Sequence, residues 1–272
     1  MAILTMARLH GCTPAKPYYV ALGSSFAAGL GLGPRDPASP YISMRSVNGY
    51  PQILARRLNV HSFADMTSSG STIRHVLYGG QMGLGPQIDA LDPDTGLVTL
   101  TAGGNDIRFV GDLTAAAFSN RKGLIGRMIR LFWNGIMDLE ARDFPSMAAN
   151  LAATLGEARR RSPNAQIVVA TYPKILPDVG VCPSLGLTEA QAATMRQVEG
   201  RLAEATRSVV AQSDAILVDM ALLSEGHDAC ASQPWVNGAR PVKGAAFHPT
   251  LAGAEAAAEA IMKAIELKLS IS

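Results

Sequence analysis

The chain has 272 residues, of which 48% are hydrophobic and 17% are charged, a composition that indicates a buried core and excludes disordered and fibrous classes. Lys and Arg number 24 against 22 Asp and Glu, so the net charge is only +2. A nucleic-acid partner is not expected, because such proteins neutralise phosphates with a large excess of basic residues. No window approaches the roughly 20 consecutive apolar residues of a membrane-spanning helix, so we expect a soluble chain without stable membrane insertion.

Residues 1–17 are predicted to form an N-terminal extension ahead of a single domain over residues 18–272. The short apolar stretch in this extension is ended by Arg8 and lacks the basic start and long apolar middle of a secretory signal. We therefore expect a protein that either is intracellular or has had a signal removed. No linker, charge run or repeat divides the remaining chain.

Short β-rich runs alternate with longer helical stretches, a pattern typical of a parallel sheet covered by helices. Five strands of one sheet are predicted, at residues 18–22, 60–64, 97–101, 166–171 and 215–219. Helices are predicted at residues 51–58, 138–161 (long or broken), 188–213 and 251–269. The expected fold class is α/β, a three-layer α/β/α sandwich with a five-stranded parallel sheet.

Two Gly/Pro-rich segments, residues 29–40 and 79–86, follow the first strand and the Ser68-Ser69-Gly70 region. Loops at this edge of an α/β sheet commonly carry the functional site, so both segments are predicted pocket walls. The cysteines Cys182 and Cys230 lie in loop-like segments and are the favoured disulfide pair. An unpaired state stays open, because their separation in space does not follow from sequence.

Residues 121–133 form a predicted amphipathic helix. Leu124, Met128, Leu131 and Phe132 lie near one helical face, and the basic residues of the segment lie elsewhere. We expect this helix to pack on the core through its apolar face. A lid or a contact with a lipid surface is the alternative, since basic amphipathic helices favour interfaces.

Three short segments carry residue types suited to chemistry. The first strand ends in Gly23-Ser24-Ser25, which puts a hydroxyl at the carboxyl edge of the sheet. The third predicted strand leads into Gly103-Gly104-Asn105-Asp106, where the paired glycines permit a tight turn and the Asn105 amide can donate into a cleft. Phe247-His248-Pro249 precedes the last helix. Taken singly, these segments are more often a helix cap, a turn and a surface or core histidine.

Together the segments resemble the SGNH hydrolases, also called GDSL esterases and lipases. The resemblance rests on four blocks in the family's order: Gly23-Ser24-Ser25-Phe26, Ser69-Gly70, Gly103-Gly104-Asn105-Asp106 and His248-Pro249. It implies that Ser25 is the nucleophile and His248 the general base. It also implies that the backbone N–H groups of Ser25 and Gly70 and the side chain of Asn105 form the oxyanion hole.

Two positions depart from the family pattern. Ser24 stands where the family usually has Asp, which leaves Ser24 as an alternative nucleophile. Ala245 stands three residues before His248, where the family usually carries an acid, so a Ser–His dyad is expected. A backbone carbonyl near Ala245, or an acid such as Asp219 or Asp228, is a possible substitute for the missing group.

The predicted function is a serine esterase that hydrolyses carboxylic esters through an acyl-enzyme. Lipase, phospholipase, thioesterase and carbohydrate deacetylase are alternatives with the same residues, and a non-catalytic ligand-binding module is an alternative of another class. Substrate contacts are predicted at Ser24, Asp106, Trp235 and Phe247, with Asn237 beside Trp235 at the pocket mouth. The substrates are a small-molecule or lipid ester and water. No cofactor or metal is expected, because phosphate-loop and metal-ligand spacings are missing, and the oligomeric state stays open.

Overall fold

A computed structural model describes residues 18–271, so the predicted N-terminal extension lies outside the described residues. The strands are β1 (Tyr19–Gly23), β2 (Phe63–Asp65), β3 (Leu97–Thr101), β4 (Gln166–Ala170) and β5 (Ile216–Val218). The α-helices are α1 (Ser25–Ala28), α2 (Tyr50–Arg57), α3 (Ile73–Tyr78), α4 (Phe109–Ser119), α5 (Leu124–Phe132), α6 (Phe144–Arg161), α7 (Glu189–Ala211), α8 (Met220–Leu223) and α9 (Leu251–Ile271). Short 3₁₀ turns occur at Tyr41–Ser43, Gln81–Gly83, Gln87–Ala90 and Leu139–Ala141.

The five strands form one parallel sheet in the order β2-β1-β3-β4-β5. Side chains alternate between its two faces, as a pleated strand requires. In β1, Val20 and Leu22 pack into the core beneath α3, α4, α6 and α7, whereas Tyr19 and Ala21 pack beneath α2 and α9. The predicted three-layer α/β/α sandwich is therefore confirmed.

The predicted strand bounds hold to within one residue for every strand except β2. The third strand has the predicted bounds, but the predicted start of the second strand at residue 60 is wrong, since β2 begins at Phe63. Val60 instead closes the turn that follows α2, because its N–H donates to the Ala55 carbonyl at 3.0 Å. The helix predicted at 138–161 is broken, and its main part begins at Phe144 behind an Asp143 cap.

The predicted packing of α5 on the core is wrong. The helix forms, but Leu124, Met128, Leu131 and Phe132 are 74%, 44%, 67% and 79% exposed. The opposite face holds Gly126, which is buried, and Arg130, whose guanidinium donates to the Ser119 carbonyl at the end of α4. Periodicity places a helical face but does not say which side the rest of the fold covers.

Cys182 and Cys230 form a disulfide with a Cα–Cα distance of 5.7 Å, which confirms the favoured pairing. The bridge joins the segment after β4 to the segment that leads to His248. Among residues 18–271, no helix has both the length and the hydropathy needed to cross a bilayer.

Candidate active site

Ser25 lies at the carboxyl edge of the sheet, directly after β1. Gly23 has a φ of +138°, and a Cβ atom there would lie 2.4 Å from the Thr101 carbonyl oxygen, so only glycine fits. The chain turns sharply at this point and begins α1 at Ser25. The turn aims the Ser25 side chain into a cavity rather than into the next layer of the fold.

His248 lies against Ser25. Its Nε2 atom is 2.8 Å from Ser25 Oγ, and its Nδ1 atom is 2.7 Å from the Ala246 carbonyl oxygen. Because a carbonyl only accepts, Nδ1 carries the hydrogen and Nε2 is the acceptor for the serine hydroxyl. Burial lowers the pKa of His248 below its ordinary value of 6.5, against the opposing effect of the Ala246 bond. The imidazole is thus neutral at pH 7, as a general base must be.

The two aspartates considered as substitutes for the missing acid are bonded elsewhere. Asp219 pairs with Arg207, with an Nε–Oδ2 distance of 2.7 Å. Asp228 accepts the Cys230 N–H at 2.8 Å. The group that faces His248 Nδ1 is the backbone carbonyl of Ala246, the residue next to Ala245.

Gly70 and Asn105 lie with Ser25 around the same cavity. Asn105 Nδ2 donates to the Ser71 carbonyl at 2.8 Å, which uses one of the two amide hydrogens and leaves the other for a ligand. Gly70 has a φ of +86°, and within residues 18–271 its N–H makes no hydrogen bond to another backbone group. The structure thus brings together all four residues to which the resemblance assigns catalytic or oxyanion roles.

Two glutamines that the sequence did not single out as site residues brace these turns. Gln87 makes two bonds to Gly23, accepting its N–H at 2.8 Å and donating to its carbonyl at 3.0 Å. Gln81 Nε2 donates to the Ser69 carbonyl at 2.7 Å and so fixes the loop that carries Gly70. Gln81 belongs to a predicted pocket wall, but nothing in the sequence marks Gln87.

Ser24 points away from the cavity. Its Oγ atom is 2.9 Å from the hydroxyl of Tyr172, which also accepts the Gly104 N–H at 3.1 Å. Burial raises the pKa of Tyr172 to about 12, so the hydroxyl stays protonated. Tyr172 therefore links the Ser25 turn to the Asn105 turn, and Ser24 is a structural partner in that link.

The other predicted substrate contacts are absent from the cavity lining. Asp106 accepts the Ile73 N–H at 3.0 Å, and burial raises its pKa to about 6. Trp235 stacks on His227 with ring centroids 4.2 Å apart, and Phe247 is fully buried in the core. These three side chains hold the loops of the site in place.

The cavity beside Ser25 has a volume of about 1010 Å³. Both predicted wall segments contribute to it, through Leu30 in the first and through Gln81 and Met82 in the second. The remaining apolar wall comes from α4, α5 and the turn at Tyr41–Ser43. Its apolar side chains are Tyr41, Ile42, Met44, Val110, Ala115, Phe118 and Ile129.

The fold and sequence define a class of protein, the carboxylic ester hydrolases built on a three-layer α/β/α sandwich. Lipase 2 of Streptomyces coelicolor is 33% identical over 219 residues, covering 78% of this chain and 72% of that protein. An extracellular lipase from Streptomyces rimosus matches with a TM-score of 0.71 and 25% identity, covering 90% of this chain and 98% of that one. Phospholipase A1 from Streptomyces albidoflavus NA297 has the same TM-score and coverage, at 26% identity.

Residues 21–256 match the family model of the GDSL-like lipases and acylhydrolases. The chain belongs to this family, which confirms the resemblance seen in the four sequence blocks.

Proposed function

We propose that the protein hydrolyses carboxylic esters through an acyl-enzyme on Ser25, with Ser25 and His248 acting as a dyad. The observation that carries this proposal is the bonding of His248, whose Nε2 atom meets the Ser25 hydroxyl while Nδ1 meets a backbone carbonyl. A neutral imidazole in this tautomer is ready to accept the serine proton.

The reaction has two halves that use the same groups. His248 takes the proton of Ser25 as Oγ attacks the ester carbonyl carbon, and the proton then passes to the departing alkoxide. Water next attacks the acyl-enzyme, giving its proton to His248, and the acid leaves as Ser25 is reprotonated. In both halves the negative oxygen is stabilised by the backbone N–H groups of Ser25 and Gly70 and by the Asn105 amide.

The Ala246 carbonyl takes over one task of a triad acid. It fixes the ring orientation and the tautomer of His248, because it accepts the Nδ1 hydrogen. It carries no full charge, so it stabilises the imidazolium of the transition state less than a carboxylate would.

A lipid ester is the substrate class that the cavity favours. The walls beside Ser25 are mainly aliphatic and aromatic, which suits an acyl chain better than a hydroxyl-rich sugar. The lipase and phospholipase names of the similar proteins support the same substrate class. A lipase or phospholipase is therefore the second candidate within the proposed chemistry.

We expect kcat/KM on p-nitrophenyl esters to rise from acetate to octanoate. Each methylene buried in the cavity contributes about 0.8 kcal/mol, a factor of at most about four in kcat/KM. Initial rates over a series from acetate to palmitate measure this trend, with Ser25→Ala as the blank. A maximum at acetate would contradict a lipid ester and favour a deacetylase.

A fluorophosphonate probe separates an enzyme with another substrate from a binding module. We expect one adduct, located at Ser25 by peptide mass spectrometry. Folded protein that gives no adduct and hydrolyses no ester would identify the binding module.

In the profile of kcat/KM against pH, we expect the midpoint of the fall on the acid side to lie below pH 6.5. Burial lowers the pKa of His248, and activity falls as the pH falls through that pKa, because the imidazolium cannot accept the serine proton. The measurement is kcat/KM for p-nitrophenyl butyrate against pH. A carboxylate partner would favour the imidazolium, so a midpoint well above 6.5 would contradict the dyad.

A further inference from the structure

The outward face of α5 is apolar. Successive residues of a helix are about 100° apart, so Leu124, Ile125, Met128, Leu131 and Phe132 fall within an arc of about 120°. All five side chains are exposed. A stable helix in a water-facing position normally turns its polar face outward, so this orientation requires an explanation.

The inward face of the helix is fixed by specific contacts. Gly126 is buried on this face, and a Cβ atom there would clash with the carbonyl oxygen of Arg121 in the turn just before the helix. The guanidinium of Arg130 donates to the Ser119 carbonyl at the end of α4. The apolar face therefore points outward because the opposite face is anchored.

α5 also borders the cavity that contains Ser25. Ile129 belongs to the cavity lining, on the flank of the helix next to the apolar face. Tyr41, Met44 and Met82 also line this cavity, and all three are exposed. The apolar face of α5 is thus continuous with an apolar rim around the cavity mouth.

The charged residues of the segment that contains α5 are all basic. Residues 113–137 contain Arg121, Lys122, Arg127 and Arg130 and no Asp or Glu, although the whole chain has a net charge of only +2. Lys122 and Arg127 are exposed, and the ion pairs of residues 18–271 include neither. Basic residues beside an exposed apolar face match a surface that offers both negative charge and hydrocarbon.

We propose that this α5 docking surface, formed by the five apolar residues with Lys122 and Arg127, binds an anionic phospholipid bilayer. The apolar side chains enter the boundary between headgroups and acyl chains, while the two cations contact the phosphates. The cavity mouth then faces the lipid. Docking needs only exposed side chains, so it stands apart from the chemistry at Ser25.

The test is co-sedimentation of the full chain with vesicles of phosphatidylcholine, with or without one third phosphatidylglycerol. We expect binding to the anionic vesicles that weakens at about 1 M salt, where charges are screened beyond about 3 Å. The variant Leu131→Ser/Phe132→Ser should lose at least about ten-fold in affinity. The variant Lys122→Glu/Arg127→Glu should lose a similar factor on anionic vesicles only.

The matched control is Leu222→Ser/Leu223→Ser, an adjacent exposed pair on α8 that lies outside the cavity lining. It should bind vesicles like the wild type. All variants should keep wild-type activity on soluble p-nitrophenyl butyrate, which separates a failure of docking from a failure of the proposed chemistry. Equal loss in the control pair, equal binding to neutral vesicles, or no vesicle binding would each overturn the proposal. Dimers that dissociate in Leu131→Ser/Phe132→Ser would instead identify a second copy as the occupant.

Discussion

Ser25→Ala and His248→Ala are each expected to lower kcat/KM by on the order of 10⁴-fold or more. In the proposed dyad the two side chains act as one unit through the 2.8 Å contact between Oγ and Nε2, so losing either would remove the activated nucleophile. The double variant should be no worse than the single ones, because groups that act together are not additive. Initial rates on p-nitrophenyl butyrate measure all three variants.

Asp219→Asn and Asp228→Asn are the matched controls for the dyad. Asp219 bonds to Arg207 and Asp228 to the Cys230 N–H, so both variants should keep activity within a few-fold of wild type. A loss on the order of 10⁴-fold in either variant, with the fold intact by circular dichroism, would show that a carboxylate completes a triad.

Asn105→Ala is expected to lower kcat by about 10²- to 10³-fold with little change in KM. The Asn105 amide is the proposed side-chain donor to the negative oxygen, which develops only in the transition state. The variant also removes the 2.8 Å bond to the Ser71 carbonyl, so thermal unfolding must be measured beside the rates.

Asn120→Ala is the control for Asn105→Ala. Asn120 also donates from Nδ2 to a backbone carbonyl, that of Gly186 at 2.9 Å, but it lies outside the cavity lining. Its activity should stay at the wild-type level. An Asn105→Ala enzyme that keeps wild-type kcat would remove the amide from the proposed oxyanion hole.

The fold could be predicted because its signals are local. The strand at residues 97–101 had the predicted bounds, because its apolar and β-branched residues stop just before the glycine pair Gly103-Gly104. The predicted start of β2 at residue 60 was wrong, because the turn after α2 continues to Val60, whose N–H donates to the Ala55 carbonyl. A bond of this kind depends on the backbone geometry of the turn, which cannot be predicted from composition.

The site is a mixture of local and tertiary features. The Ser25 turn, the Asn105 turn and the His248 loop could be found from the sequence by their residue types. The first two follow strands, and strand ends in a parallel sheet meet at one edge. The partners of these turns are not, since Gln87 and Tyr172 come from distant positions and have no motif. The Ala246 carbonyl likewise becomes a partner only through the backbone conformation, with a φ of +56° at Phe247.

By itself, the sequence determined the α/β class, because that class follows from the alternation of strand and helix patterns. Its four motif blocks also resemble the SGNH hydrolases, which indicated the family and the segments proposed to carry the chemistry. Only the tertiary structure decided that Cys182 pairs with Cys230 and that Asp219 and Asp228 bond to groups other than His248. It also decided that the apolar face of α5 points outward. Such pairings depend on distances between residues far apart in the chain. Periodicity and composition carry no information about those distances.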